Sequence, residues 1–417
     1  MKKIIILTLL LSLSSGCLFK TLRKDLEEYN SFLPITGSIV VDNSSIYPVV
    51  LALLSGEIGD GKIVSYKVFY GTNDFTFTVT EDKYRLFAFE DVNEDMTYQK
   101  NERAAWYGFD DKFILERDKD LPEIKMILQT PDSVEKTFPF IKTKTYPPVK
   151  LTGSMIKIGK IIDLKDPLYQ EAYGRVGMWE PVRFMKEVGA GIYFLRKFDS
   201  TKTPVLFVHG IGGSASEFEY IATELDTSKY QPFFCVYPSG LRLAKLATGI
   251  SNILINMRAK YHFKEINVIA HSMGGLVALG ILQNNANRTN PIKINNFITL
   301  STPWKGQAGA AKGVKSAPVV VPSWYDMDPA SAYIKNIKKI GVPKGITYSL
   351  FFSYIATGRG SMIDGNHDGT VTLESQLDKK LQDRAKTFVG IRADHTGILK
   401  SEVVSKRIDT ILSEKTK

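Results

Sequence analysis

The sequence predicts an α/β protein, a mostly parallel sheet covered by helices, preceded by a small all-β sandwich module. Three observations carry that expectation. From about residue 186 onward, short apolar runs alternate with segments of helical spacing. One of those runs, Ile266 to Ala270, leads directly into Ser272 and a new helical segment. Between about residues 36 and 130 the apolar residues instead recur with the period of two that marks half-buried strands.

A chain of 417 residues with 44% hydrophobic content exceeds what one core requires, so two folded domains with short extras are expected. The net charge of +10 comes from 54 Lys and Arg against 44 Asp and Glu, scattered along the chain. Dispersed charge of this kind argues against a nucleic-acid partner and points only weakly to an anionic membrane surface. The chain shows neither an internal repeat nor a low-complexity tract.

At the N-terminus, Lys2 and Lys3 precede the apolar run Ile4 to Leu11, and Ser14, Ser15 and Gly16 lead up to Cys17. The run falls short of the roughly 20 residues of a membrane span, which favours a cleaved export signal. Residues 1–17 resemble a bacterial lipoprotein signal, although Ser14 stands where a large apolar residue is usual and Leu13 lies one place early. The resemblance implies that Cys17 becomes the lipidated first residue of a chain held in the cell envelope through its lipid anchor. Leu18, rather than Asp, follows the cysteine, and by resemblance to other lipoproteins that implies the outer membrane. Residues 18–35 read as a polar tether. The second cysteine, Cys235, lies in the apolar run Phe233 to Tyr237 and is expected to be a small buried hydrophobe, with no intramolecular disulfide.

Within the β module, Phe75, Phe77 and Val79 alternate with polar residues. Thr80 to Lys83 make a turn and Leu86 to Phe89 follow, which predicts a hairpin. The strand order resembles that of prealbumin-like or carboxypeptidase-regulatory-like β-sandwich modules, over residues 36–130. Next, Asp91, Asn93, Asp95 and Glu102 place oxygens at the first, third, fifth and twelfth positions of a possible calcium loop. Met96 occupies the sixth position, where such a loop needs glycine, and an Asx-rich turn gives the same string, so a rigid surface turn is the preferred reading. Pro131, Pro139, Pro147 and Pro148 open a stretch, residues 131–185, that reads as a connector.

Strands are expected at Ile192–Leu195, Val205–Val208, Phe233–Tyr237, Ile266–Ala270, Phe297–Leu300, Tyr348–Tyr354 and Thr387–Ile391. Among the helical segments between them, one carries Phe218, Ile221, Ala222 and Leu225, another Leu276, Leu279 and Leu282. Ala270-His271-Ser272-Met273-Gly274 falls where strand meets helix. A serine on so sharp a turn needs small neighbours two places before and after it, and Ala270 and Gly274 provide them. This resembles the A-x-S-x-G nucleophile elbow of certain small bacterial lipases. Attack by the Ser272 hydroxyl on an ester would build an oxyanion, for which the Met273 N–H at the helix start is one donor. His209-Gly210-Ile211-Gly212-Gly213, ending the strand Val205–Val208, is similar to the H-G-x-G-G loop of lipases, and that likeness makes Ile211 N–H the second donor.

A base near neutral pH points to histidine, and only five exist. His262 lies upstream near a helix end, His209 belongs to the glycine loop and His271 adjoins the nucleophile. His367 precedes or coincides with the expected acid. His395 remains, after the strand Thr387–Ile391 and before a last amphipathic helix, in the Ser, acid, His chain order of such folds. For the acid, Asp364-Gly365 and Asp368-Gly369 compete. The string from Asp368 to Ser375 resembles the D-G-x-V-x-x-x-S acid loop of many lipases, which favours Asp368 with Asp364 in reserve. Thr302-Pro303-Trp304-Lys305-Gly306 is a further lipase-like feature, and an insertion at about 306–342 is expected to cover the site.

Residues 186–417 thus resemble the α/β-hydrolase superfamily of serine lipases and esterases. The resemblance implies ester hydrolysis without a cofactor, on an acyl-lipid or a soluble ester. An amidase or deacylase using the same residues, and a surface interaction protein built on a hydrolase scaffold, are the alternatives.

Overall fold

The computed structural model describes residues 17–42, 45–55, 62–80, 82–108, 114–115, 123–133, 156–355 and 365–414. The chain divides into two compact units. One comprises Glu28–Ile156 and Leu254–His262; the other takes the described residues up to Glu27, Lys157–Ile253 and residues from Phe263 onward.

In the first unit the strands in chain order are β1 (Leu33–Val40), β2 (Pro48–Ser55), β3 (Lys62–Tyr70), β4 (Asn73–Val79), β5 (Asp82–Glu90), β6 (Ala104–Tyr107), β7 (Ile114–Leu115) and β8 (Ile124–Ile127). They form a three-stranded sheet, β4-β1-β8, and a five-stranded one, β3-β2-β5-β6 with β7 on β5. Ile35, Ile39, Phe75 and Ile124 from the first sheet meet Leu51, Leu53 and Leu86 from the second in one buried cluster. The period-two alternation therefore marks inward faces, as in a sandwich.

The same alternation does not mark a hairpin. β4 pairs with β1 and β5 pairs with β2, so the chain between them passes from one sheet to the other. Periodicity specifies which face is buried, and here Phe77 and Leu86 reach one core from opposite sheets. On its other face, β5 carries Phe87, whose ring lies 4.4 Å from that of Trp106. Asn256 closes β3, donating to Tyr66 O and accepting from Val68 N, each at 3.1 Å.

The second unit contains β9 (Ile156–Ile161), β10 (Ala190–Phe194), β11 (Thr203–Val208), β12 (Tyr230–Val236), β13 (Glu265–His271), β14 (Lys293–Leu300), β15 (Thr347–Tyr354) and β16 (Thr387–Arg392). The eight strands form one sheet in the order β16-β15-β14-β13-β11-β12-β10-β9. β11 to β16 run parallel through that order, whereas β10 is antiparallel to β12. All seven residues of β12 are buried, as expected of a central strand covered on both faces. This is the α/β-hydrolase fold, and it leaves the carboxyl ends of β11, β13 and β15 and the loops after them to build a site.

Two boundaries differ from the sequence-based expectation. Residues 17–30 are a helix, not a tether. Leu22 on it is fully buried, its Asp25 carboxylate accepts from Val182 N and Arg183 N, and Phe19 meets the Trp179 ring edge-on at 5.6 Å. So narrow an apolar stripe is hidden among Lys, Arg and Glu when polarity alone is read. Of the expected connector, the described residues from Ile156 onward form β9 and the helices Glu171–Trp179 and Pro181–Glu187, and those from Lys157 belong to the second unit. β9 is an edge strand with no fully buried residue, so its apolar signal is weak.

The expected insertion comprises three short helices, Ala308–Ser316, Pro322–Met327 and Ala332–Ile340. The third packs on the helix Met273–Ala286, where Tyr333 donates to Leu276 O at 3.1 Å. Cys235 is buried within β12, as expected, and burial raises its thiol pKa. Among the described residues no helix is long and apolar enough to cross a membrane.

Candidate active site

β13 ends at His271, Ser272 follows at φ 53° and ψ −130°, and the helix Met273–Ala286 begins at once. A non-glycine residue in that conformation costs on the order of 1–3 kcal/mol and persists only where its surroundings enforce it. The enforcing contacts are Ser272 N donating to Leu300 O at 2.9 Å and the close pass of Gly274 beneath the strand β11. A Cβ on Gly274 would stand 2.2 Å from Val208 O and 2.4 Å from His209 O. Sharp turn, strained serine and missing side chain are one arrangement.

The glycine loop after β11 lies against that serine. A Cβ on Gly210 would come within 3.0 Å of Ser272 Cβ and 3.4 Å of its Oγ. Gly213 N closes the turn onto Gly210 O at 3.2 Å, and Gly212 N donates to Ser239 Oγ at 2.9 Å. Ile211 sits at the tip of this turn and Met273 at the first position of the helix, where the unpaired N–H groups and the helix dipole favour negative charge.

Ser272, His395 and Asp368 converge. His395 Nε2 lies 2.8 Å from Ser272 Oγ, and His395 Nδ1 lies 2.7 Å from Asp368 Oδ2. The carboxylate partner assigns the proton to Nδ1 and leaves Nε2 to accept from the serine hydroxyl. All three residues are buried. Asp364, the reserve acid, lies outside the described residues.

Asp368 is heavily engaged. Its Oδ2 also accepts from Ser353 Oγ at 2.9 Å and Gln376 Nε2 at 3.1 Å, and its Oδ1 accepts from the N–H groups of Thr370 and Val371. Ser301 Oγ, 2.6 Å from Ser353 Oγ, extends the chain. Burial works against the charged carboxylate. The His395 hydrogen bond and charge, with those N–H groups, nevertheless hold it below the ordinary range. For His395, burial dominates and lowers the imidazole pKa against the pull of Asp368.

The other histidines have separate places. His209 stacks on Tyr237 at 4.1 Å, and His367 Nδ1 accepts from Gly369 N inside the acid loop. His262, at φ 55°, lies 3.7 Å from Glu94. His271 is buried beside Glu217, with Nδ1 3.1 Å from Glu217 Oε1. Sequence reasoning missed Glu217, Ser353 and Gln376. The one available signal was a charged residue, Glu217, set beside the apolar stripe of Phe218, Ile221 and Ala222.

The oxygens of the calcium candidate are engaged by the loop's own N–H groups. Asp91 accepts from Asp95 N and Met96 N, and Glu102 accepts from Val92 N and Gln99 N. Asn93 and Asp95 bond each other, and Asp95 also accepts from Thr97 N. Among the described residues no group of three His, Cys, Asp or Glu side chains could hold a metal ion. The loop is a self-capped turn rather than a mere surface one, since Asp91 and Glu102 are both buried. Burial raises the Glu102 carboxyl to about 7 against the pull of those N–H groups, and the neighbouring Asp91 and Asp95 charges add to the rise.

Residues 241–415 match the profile of a family described as an alpha/beta hydrolase of unknown function (DUF915). No curated protein matches the chain. Among solved structures, the mature lipase BlEst2 of Bacillus licheniformis is 19% identical, with 52% of this chain and 94% of that one covered, at a TM-score of 0.42. Lipase B of Aspergillus fumigatus is 15% identical over 54% of this chain and 56% of that one, at 0.38. The enol-lactonase of Burkholderia xenovorans LB400 is 13% identical over 54% and 95%, at 0.34.

Proposed function

We propose that this α/β-hydrolase chain is a serine hydrolase of carboxylic esters, with Ser272 as nucleophile, and that acyl-lipid esters are its substrates. The observation that carries the reading is the unbroken relay from Ser272 Oγ to His395 Nε2, 2.8 Å, and from His395 Nδ1 to Asp368, 2.7 Å. His395 takes the hydroxyl proton as Ser272 attacks the carbonyl carbon. Asp368 keeps the imidazole in the required tautomer and stabilises the imidazolium that forms. The Ile211 and Met273 N–H groups receive the oxyanion, a contribution of roughly 3–4 kcal/mol per donor in acyl-transfer enzymes. His395 then protonates the leaving alcohol, and water releases the acid from the acyl-enzyme by the same route in reverse.

A fluorophosphonate probe tests the reading. The purified protein is expected to be labelled at Ser272 and the Ser272→Ala variant to be silent, with turnover of p-nitrophenyl esters lost in parallel. An unlabelled wild-type protein would sink the enzyme reading and leave the interaction protein. Activity rising with acyl length and with micelles supports the lipid substrate, and activity confined to short soluble esters or to amides removes it. Asp368→Asn is expected to lower kcat by about 10⁴, the loss seen when a triad acid is replaced by its amide. A variant with near-normal turnover would return the role to Asp364.

A further inference from the structure

Behind the relay lies a second pair of titratable groups that it does not use. His271 Nε2 is 2.9 Å from the backbone O of His395, and His271 Nδ1 is 3.1 Å from Glu217 Oε1. A carbonyl oxygen can only accept. Glu217 Oε1 in turn accepts from Gly210 N at 3.3 Å, in the glycine loop. With the carbonyl on one side and an ionised Glu217 on the other, both ring nitrogens of His271 donate, and an imidazole that donates twice is an imidazolium. Gly213 leaves the room Glu217 occupies, since a Cβ there would stand 2.2 Å from Glu217 Oε2.

We infer that His271 and Glu217 form a permanently charged pair that positions the catalytic base and the oxyanion loop together, joining the His395 backbone to Gly210 through one ion pair. The positioning role rests on the serine-hydrolase reading; the charge on His271 does not. Its side chain is 4% exposed and that of Glu217 17%, so the pair is largely shielded from water and salt. Burial disfavours the charged imidazole, but the Glu217 hydrogen bond and charge outweigh it and raise its pKa. Glu217 is held low in turn, burial again opposed by His271.

The rings of His271 and His395 are 4.8 Å apart, so the pair also acts on the base. The titratable groups around His395 are Asp368, which favours its charged form, His271, which disfavours it, and Glu217, which favours it from farther off. Around Glu217 stand His271, His209 and Tyr237; burial keeps His209 neutral and Tyr237 protonated. Removing His271 alone therefore leaves a negative charge behind the base and raises its pKa, while removing both charges restores it.

With only five histidines, selective ¹⁵N-histidine labelling resolves each ring. The signal lost in His271→Gln is expected to show two protonated ring nitrogens from pH 5 to pH 9, and in Glu217→Gln to titrate within that range. With p-nitrophenyl butyrate, Glu217→Gln is expected to lower kcat at least tenfold with KM within a factor of two. His271→Gln should move the acid limb of kcat to higher pH, and the Glu217→Gln/His271→Gln double variant should bring it back. A neutral His271 at pH 7 in the wild-type protein overturns the inference. So do single variants that keep the wild-type kcat and acid limb. Should His271→Gln fail to fold, the wild-type spectrum and the isosteric Glu217→Gln variant still decide. Fluorophosphonate labelling of the wild-type protein in the same series separates failure of this pair from failure of the hydrolase reading.

Discussion

Ser272 is held in its left-handed conformation by residues that contribute no side chain at all. Gly274 lets the helix Met273–Ala286 start directly beneath two strand carbonyls, so Gly274→Val forces the helix or β11 to move. Overpacking of that kind costs roughly 1–3 kcal/mol, and here it also pulls the serine from its relay. The expected result is a lower Tm together with a drop in kcat of more than tenfold. Gly249 provides the contrast. It lies in the helix Leu243–Tyr261, and a Cβ there would meet nothing within 4 Å. Gly249→Ala is expected to stabilise the protein by about 0.5–1 kcal/mol and leave kcat unchanged. Equal shifts from the two substitutions would contradict this account. His395 fixes a pH dependence at the same scale. As the proposed base it must be neutral to accept the serine proton, and burial lowers its pKa. Activity should therefore persist below the ordinary histidine value of about 6.5 and fall only as pH drops through the lowered one. An acid limb of kcat/KM at pH 7 or above would contradict that. Ser272 was legible because a strand running into a turn marks it within a dozen residues, and His395 because only five histidines compete and it follows the last expected strand. Glu217 was not, because its partner His271 is 54 positions away and nothing local marks the pair.

At the scale of elements, periodicity reported faces faithfully and connections poorly. It located β10 to β16 to within a few residues, because buried parallel strands are nearly continuous apolar runs. It suggested a hairpin for β4 and β5, which belong to different sheets, because both alternate toward a shared core. It passed over the helix at residues 17–30, whose place depends on a contact with a distant element. Asp25 on that helix caps another, its two oxygens accepting from Val182 N at 2.8 Å and Arg183 N at 3.0 Å, at the start of Pro181–Glu187. Such a cap is worth about 0.5–2 kcal/mol, and Asp25 is buried, so water does not readily replace it. Asp25→Ala should lower the stability of the hydrolase unit by that amount in thermal or denaturant unfolding, with kcat preserved at temperatures where the variant is folded. A stability unchanged within about 0.3 kcal/mol, inside the usual scatter of surface substitutions, would show that the long-range cap is not formed.

For the whole molecule, the question is what Cys17 does. It is exposed at the start of a helix whose Leu22 is buried and whose Phe19 packs on Trp179, which in turn meets Trp324 of the insertion at 5.9 Å. We propose that Cys17 carries the lipid anchor that the preceding residues suggest, so that no free tether separates the anchor from the hydrolase unit. Each buried methylene contributes about 0.8 kcal/mol, and one acyl chain gives only marginal attachment, so a stably held protein needs more than one chain or a basic supplement. Lys20, Arg23 and Lys24 lie in the first two turns of the helix after Cys17, and basic residues near an anionic surface add roughly 1 kcal/mol each. High salt screens the second contribution and leaves the first. Full-length protein expressed in a bacterium is therefore expected in the membrane fraction and to stay there through a wash in 1 M salt, roughly a 3 Å Debye length. Cys17→Ser is expected in the soluble fraction, with its p-nitrophenyl butyrate turnover intact. Wild-type protein released by the salt wash would make attachment electrostatic, and a Cys17→Ser variant that stays with the membrane would place the anchor elsewhere in the chain.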